Sequence, residues 1–83
     1  MRINIRLFAK LRDITDADHL LRDIPIGSTT KVVWQLLVDE FPELTNYTAV
    51  ISTAINEDYA RMDVVLKEGD EVAFLPPVSG GSQ

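Results

Sequence analysis

The sequence predicts an α+β domain in which one main helix packs across a mixed sheet of four to five strands. Three observations carry that prediction. Ile3, Ile5 and Leu7 interleave with Arg2, Asn4 and Arg6, the period of two that marks a half-buried strand over residues 2–8. One stretch alone holds apolar residues at helical spacing over several turns: Val33, Leu36, Leu37 and Phe41. The second half of the chain is a series of short β-branched runs separated by turn residues. With 83 residues the chain has room for one core. A helix layered on a sheet is the economical way to close one.

The elements follow in order. After the first strand, "AKLRDI" over residues 9–14 loses the alternation. Leu11 and Ile14 stand three apart, which suits a short helix or turn. "TDAD" over residues 15–18 is turn chemistry. A second strand is expected over residues 19–24, antiparallel to the first and stopped by Pro25. "GSTT" over residues 27–30 starts the main helix, with Ser28 or Thr29 capping its first-turn donors. Pro42 ends it near Glu40 or Phe41. Residues 46–48 read as polar loop, residues 49–55 as a strand, residues 56–58 as a turn, and residues 59–66 as an extended stretch with Val64 and Leu66 on one face. "KEGD" over residues 67–70 is a tight turn that places a glycine where positive φ is needed. "EVAFL" over residues 71–75 is the last strand, and Pro76 and Pro77 cannot extend a ladder. If the first and last strands pair in parallel at the centre, the architecture is a β-grasp, the ubiquitin-like arrangement. Residues 1–78 would then form the domain and residues 79–83 a flexible tail.

Composition removes several function classes. The net charge of −5 repels nucleic acid and anionic lipid and favours a partner with a basic face. The absence of cysteine removes thiol nucleophiles, thiolate metal sites and disulfides. No apolar run approaches the roughly 20 residues that span a bilayer. The alternating N-terminus lacks the apolar block of a signal peptide, so the cytoplasm is the expected location. No phosphate-cradling glycine motif occurs. His19 is the single histidine and reads as an exposed strand-end side chain. Asp13, Asp16 and Asp18 miss the spacing of a calcium loop and read as solvated turn residues, so no metal site is expected. Trp34 reads as a partly buried core residue, and Phe8 and Phe74 as core or sheet-face packing.

Attention therefore falls on the end of the chain, "PPVSGGSQ". A carboxylate following Gly80 and Gly81 would be an acyl group that a second enzyme could activate. Two glycines let the backbone thread a narrow site, and two prolines stiffen the exit from the last strand. The competing reading is an ordinary frayed terminus.

"LKEGDEVAFLPPVSGG" over residues 66–81 closely resembles the end of the MoaD/ThiS group of ubiquitin-like sulfur carriers, in its molybdopterin synthase branch. "LFAKLRD", "FPEL" and "AINEDY" extend the resemblance upstream in order. It implies a β-grasp fold and a co-substrate role, the chain not acting as an enzyme by itself. An E1-like (MoeB-like) adenylyltransferase would spend ATP on the terminal glycine. A sulfurtransferase system would turn that glycine into a thiocarboxylate. The tail would then enter the large (MoaE-like) subunit of molybdopterin synthase and give its sulfur to a pterin precursor. No cofactor is expected on this chain itself. By residue, the resemblance puts the thiocarboxylate on Gly81 with Gly80 before it. It puts partner contacts on Leu75, Pro76, Pro77 and Val78, and on Arg12 and Tyr59. For Arg12 a surface ion pair, and for Tyr59 sheet packing, stand as alternatives. Ser82 and Gln83 follow Gly81. The resemblance thus implies trimming by a protease, a carrier joined to its large subunit, or two residues foreign to the natural chain. A carrier serving thiamine or tRNA thiolation, a protein modifier joined to lysines, and a binding module without tail chemistry remain the alternative functions.

Overall fold

A computed structural model describes residues 1–77. The alternation at the N-terminus becomes β1 (Arg2–Leu7), with Ile3, Ile5 and Leu7 buried on one face. Phe8 lies just outside the strand, as the residue that precedes α1 (Ala9–Thr15). β2 (His19–Asp23) returns antiparallel to β1, pairing Asn4 with Leu21. At the edge Arg2 hydrogen-bonds Asp23 at 3.2 Å and so holds that carboxyl below the usual carboxylate range. After α2 (Thr30–Glu40) and a 3-10 helix (Pro42–Tyr47) come β3 (Ser52–Ile55), β4 (Asp58–Tyr59) and β5 (Glu71–Leu75). The sheet order is β2-β1-β5-β3-β4, with β1 and β5 parallel at the centre and every other pair antiparallel. This is the β-grasp.

α2 starts where the "GSTT" stretch places it. Thr29 is the cap, its hydroxyl accepting from the Val32 amide at 3.4 Å. Phe41 ends the helix outside the helical region (φ −129°, ψ 84°), in keeping with the clash that disfavours a helical residue before proline. The buried stripe of α2 is Thr30, Val33, Trp34 and Leu37. Leu36, placed in the stripe by spacing alone, is 46% exposed, and Trp34 is completely buried where partial burial was expected. Bulk decides the helix phase: the Trp34 ring lies 5.0 Å from the Phe74 ring, and its Nε1–H donates to the Thr48 hydroxyl at 2.9 Å. Ile3, Ile5, Leu7, Val72 and Phe74 complete the core from the sheet side.

Three stretches of the second half depart from their sequence reading. Residues 46–48 are not open loop: the 3-10 helix reaches Tyr47 and carries Leu44 fully buried into the core. The strand expected over residues 49–55 begins only at Ser52, because the amides of Val50 and Ile51 donate to the Tyr47 carbonyl and close a turn instead. The extended stretch expected over residues 59–66 keeps only Asp58–Tyr59 in the sheet. The carbonyls of Met62 and Val64 accept from Lys31 and Thr30, the first amides of α2, and the Leu66 amide donates to Ser28. The helix N-terminus has captured a segment whose pattern suits a strand. Leu66 is buried while Val64 is 40% exposed, so the two do not share a face. Gly69 does take positive φ in its turn (+83°) and donates to the Arg2 carbonyl at 2.8 Å. Among the described residues no helix is long and apolar enough to cross a membrane.

Leu44→Ala should cost about 2–5 kcal/mol by urea denaturation, a large share of a small domain's stability. Val50→Ala, at a residue that is half exposed, should change it by no more than about 0.5 kcal/mol. Equal effects would contradict the assignment of the 3-10 helix to the core.

Candidate functional site

The sheet has one covered face and one open face. α2 and the 3-10 helix cover the first. The period of two then sends Asn4, Arg6, Glu71, Ala73 and Leu75 to the second. Strand pairing lines up one row across this open face: His19, Arg6, Ala73, Ala54 and Tyr59, one residue from each of the five strands. The two central alanines leave a floor with no bulk on it. Arg6 and Phe8 stand on one side, Tyr59 on the other, and Leu75 closes one end. The result is a depression of about 230 Å³ that also takes in Glu57 and Glu71.

Its charges are partly matched internally. The Arg6 guanidinium lies 5.2 Å from the Phe8 ring centroid and 3.7 Å from a Glu71 carboxylate oxygen. Glu57 makes no ion pair among the described residues. It occupies the second position of the two-residue β3–β4 hairpin, where Asn56 and Glu57 both have positive φ (+51° and +74°). That turn type favours glycine in second place, and a glutamate there costs about 1 kcal/mol. Asn56 holds the turn in place. Its amide and side-chain oxygen bond the Glu71 backbone at 2.8 and 3.0 Å, and its side-chain nitrogen donates to Asp70 at 3.0 Å.

The residues singled out in the sequence fall into three groups. Leu75 and Tyr59 meet in the depression. Tyr59 is 80% exposed, so sheet packing does not account for its ring. Pro76, half-buried, and Pro77, exposed, follow directly from β5. Because β1 and β5 are parallel, this exit shares an end of the sheet with Phe8 and the start of α1. Arg12 stands apart: it is exposed on α1, makes no ion pair among the described residues, and lines a separate recess with Asp13, Asp16 and Asp18. Val78, Gly80 and Gly81 lie outside the described residues, as do Ser82 and Gln83. His19 is exposed at the start of β2, with one ring nitrogen 3.2 Å from the Asn4 side-chain oxygen. No group of three metal-ligating side chains occurs among the described residues.

Sequence reasoning missed Arg6, Glu57 and Glu71, and the alanine floor. Arg6, Phe8 and Ala73 had a usable signal, since each falls on the outward parity of its strand. Glu57 had none, because its place depends on how the hairpin pairs with β5.

The ThiS family model matches residues 5–81 of the chain. The molybdopterin synthase sulfur carrier subunit of Arabidopsis thaliana is 36% identical over 81 residues, covering 98% of this chain and 84% of that protein. Among solved structures, the small archaeal modifier protein 1 of Methanosarcina acetivorans superposes with a TM-score of 0.80 at 28% identity, covering 96% of each chain. A chain from the complex of subunits 1 and 2 of the molybdopterin-converting factor of Helicobacter pylori superposes with a TM-score of 0.69 at 24% identity. That match covers 98% of this chain and all of that one.

Arg6→Ala and Tyr59→Ala should each change folding stability by about 1 kcal/mol or less, since exposed cation–π contacts and cross-strand pairs are worth no more. Glu57→Gly should raise it by about 0.5–1 kcal/mol by relieving the positive φ. Thermal or urea melts read all three. A loss of several kcal/mol at Arg6 or Tyr59 would make the depression a folding feature and not a surface left for something else.

Proposed function

The chain belongs to the ThiS family, and on that premise we propose that it is a sulfur carrier of the molybdopterin synthase small-subunit type. The observation that carries the reading is the continuity from the central strand to the glycine pair. β5 is gripped on both sides by β1 and β3, ends at Leu75 beside the depression, and passes through Pro76 and Pro77 toward Gly80 and Gly81. A partner that grips the open face thereby meets the point where β5 ends.

The chemistry sits on the terminal carbon. With Gly81 as the last residue, its carboxylate attacks the α-phosphate of ATP on an E1-like enzyme, and pyrophosphate leaves. A persulfide of a sulfurtransferase system then attacks the acyl carbon and AMP leaves. A thiol next cleaves the S–S bond of the acyl disulfide so formed, pairs with the donor sulfur as a disulfide, and releases the thiocarboxylate. In the large synthase subunit that sulfur passes to a pterin precursor on the way to the dithiolene of molybdopterin. In this reading the folded domain is a holder and its partners carry the chemistry. It presents the acyl group and the surface that partners hold, with Val78 completing the inserted segment and Arg12 a separate contact on α1. The charge of −5 supports this role, because opposite charge on a partner speeds encounter. The reading places the carrier in the cytoplasm and leaves ATP with the activating enzyme.

A second reading is favoured by the likeness to a small archaeal modifier protein. There the same activated Gly81 would join lysine amines of other proteins. Activation is common to both readings and only the acceptor differs. Carriers for thiamine or tRNA thiolation differ from the first reading in acceptor alone as well.

A Gly81-terminated chain, given its E1-like enzyme, ATP and a sulfur source, should gain in intact mass the exchange of one oxygen for sulfur. A chain that stays unmodified would contradict the reading. Isopeptide-linked adducts on lysines without any thiocarboxylate would support the modifier instead. Deleting residues 80–83 should abolish sulfur transfer while leaving the domain folded. Retained function after that deletion would favour a binding module without tail chemistry.

A further inference from the structure

Glu57 lines the depression from a fixed backbone. The β3–β4 turn is pinned to the start of β5 by three hydrogen bonds from Asn56, and Glu57 follows directly. A residue with φ of +74° is one where glycine would fold more readily. What glutamate adds there is its carboxylate. Three charged residues line the depression, Arg6, Glu57 and Glu71, so one cation and two anions leave it at −1. Arg6 is already engaged by Glu71 and by the Phe8 ring. Glu57 is the anion with no ion pair among the described residues, and the 80% exposed Tyr59 lines the same depression.

An open carboxylate beside an aromatic face suits a planar cation. A guanidinium can stack on the ring and give the carboxylate two parallel N–H donors, whereas an ammonium can supply only a point charge. The geometry points to an arginine side chain of the partner seating at the Glu57–Tyr59 end of the depression. Resting on the carrier reading, that partner is the large synthase subunit. Glu57 is then a specificity residue of the docking face, holding a conformation that costs stability so that a carboxylate meets the incoming cation. Arg6, tied down across the floor, keeps the rest of the depression closed to a second cation.

Two measurements test this. The first is binding of the large synthase subunit to the full chain by calorimetry at low and high salt. Glu57→Gln and Glu57→Gly should each weaken binding about five- to tenfold at low salt, with the difference shrinking at high salt. Asp58→Asn removes the same charge one residue along and should change binding less than twofold. Glu57→Gly is expected to fold more stably, so its loss of binding would not be a loss of structure. Equal binding by Glu57→Gln and the parent chain, or an equal loss in Asp58→Asn, would overturn the inference and leave the thiocarboxylate chemistry standing. The second measurement needs no partner. N-acetyl-arginine amide should shift the Tyr59 ring resonances of the parent chain, should shift them much less in Glu57→Gln, and should do so more than N-acetyl-lysine amide. Absent shifts, or equal shifts with the two amides, would overturn it. If the large subunit fails to bind even the parent chain, the choice of partner falls with the carrier reading, and the arginine amide decides the site.

Discussion

The parallel pairing of β1 with β5 is the constraint on which the rest of the molecule depends. Two strands from opposite ends of the chain lie side by side at the centre, and each needs its other edge paired. β2 supplies one and β3 the other. The pairing also fixes the two faces. Ile3, Ile5, Leu7, Val72 and Phe74 turn toward α2, where Trp34 meets Phe74. Their alternates, Arg6, Ala73 and Leu75, turn outward. A slip of one residue would exchange these sets and bring Arg6 into the core, so the register is strongly specified. A parallel pair requires a long crossover, and α2 is the part of that crossover that covers the core.

The same pairing fixes where β5 ends. β5 is interior to the sheet, paired with β1 as far as Phe74 and with β3 as far as Leu75, and followed at once by two prolines that cannot pair further. The last residues leave from the most constrained strand of the domain. Beside that exit lies an open face with a small-residue floor, flanked by an aromatic ring and by charges. The two faces are thereby separated: one packs the core, and the other is left open. Glu57 sharpens the separation, since a turn glycine would serve the fold better.

Much of this was legible in the sequence wherever one local pattern decided the outcome. Alternation located β1 and β5, and the capping threonine and Pro42 bounded α2. What failed depended on competition between partners distant in sequence. Residues 60–66 have strand-like composition, but the first amides of α2 took their carbonyls. Leu36 and Trp34 fit helical spacing equally well, and the bulk of Phe74 chose between them. Residues 46–48 read as loop, and Leu44 was not marked for the core, because a 3-10 turn leaves no repeating signature. In the site, Leu75, Pro76 and Tyr59 came from the family resemblance. The depression that gathers Leu75 and Tyr59 with Arg6 and Glu57 emerges only when five strands are set in register.

If the chain is a sulfur carrier, its reactive atom is the acyl carbon of Gly81 and the folded domain is the holder of that atom. The most direct measurement is the intact mass of the untagged protein purified from its own cells. A sulfur carrier should show a population that ends at Gly81, with one terminal oxygen exchanged for sulfur when its activating enzyme is active and without that exchange when it is absent. A chain that never ends at Gly81 and never carries sulfur under either condition would contradict it.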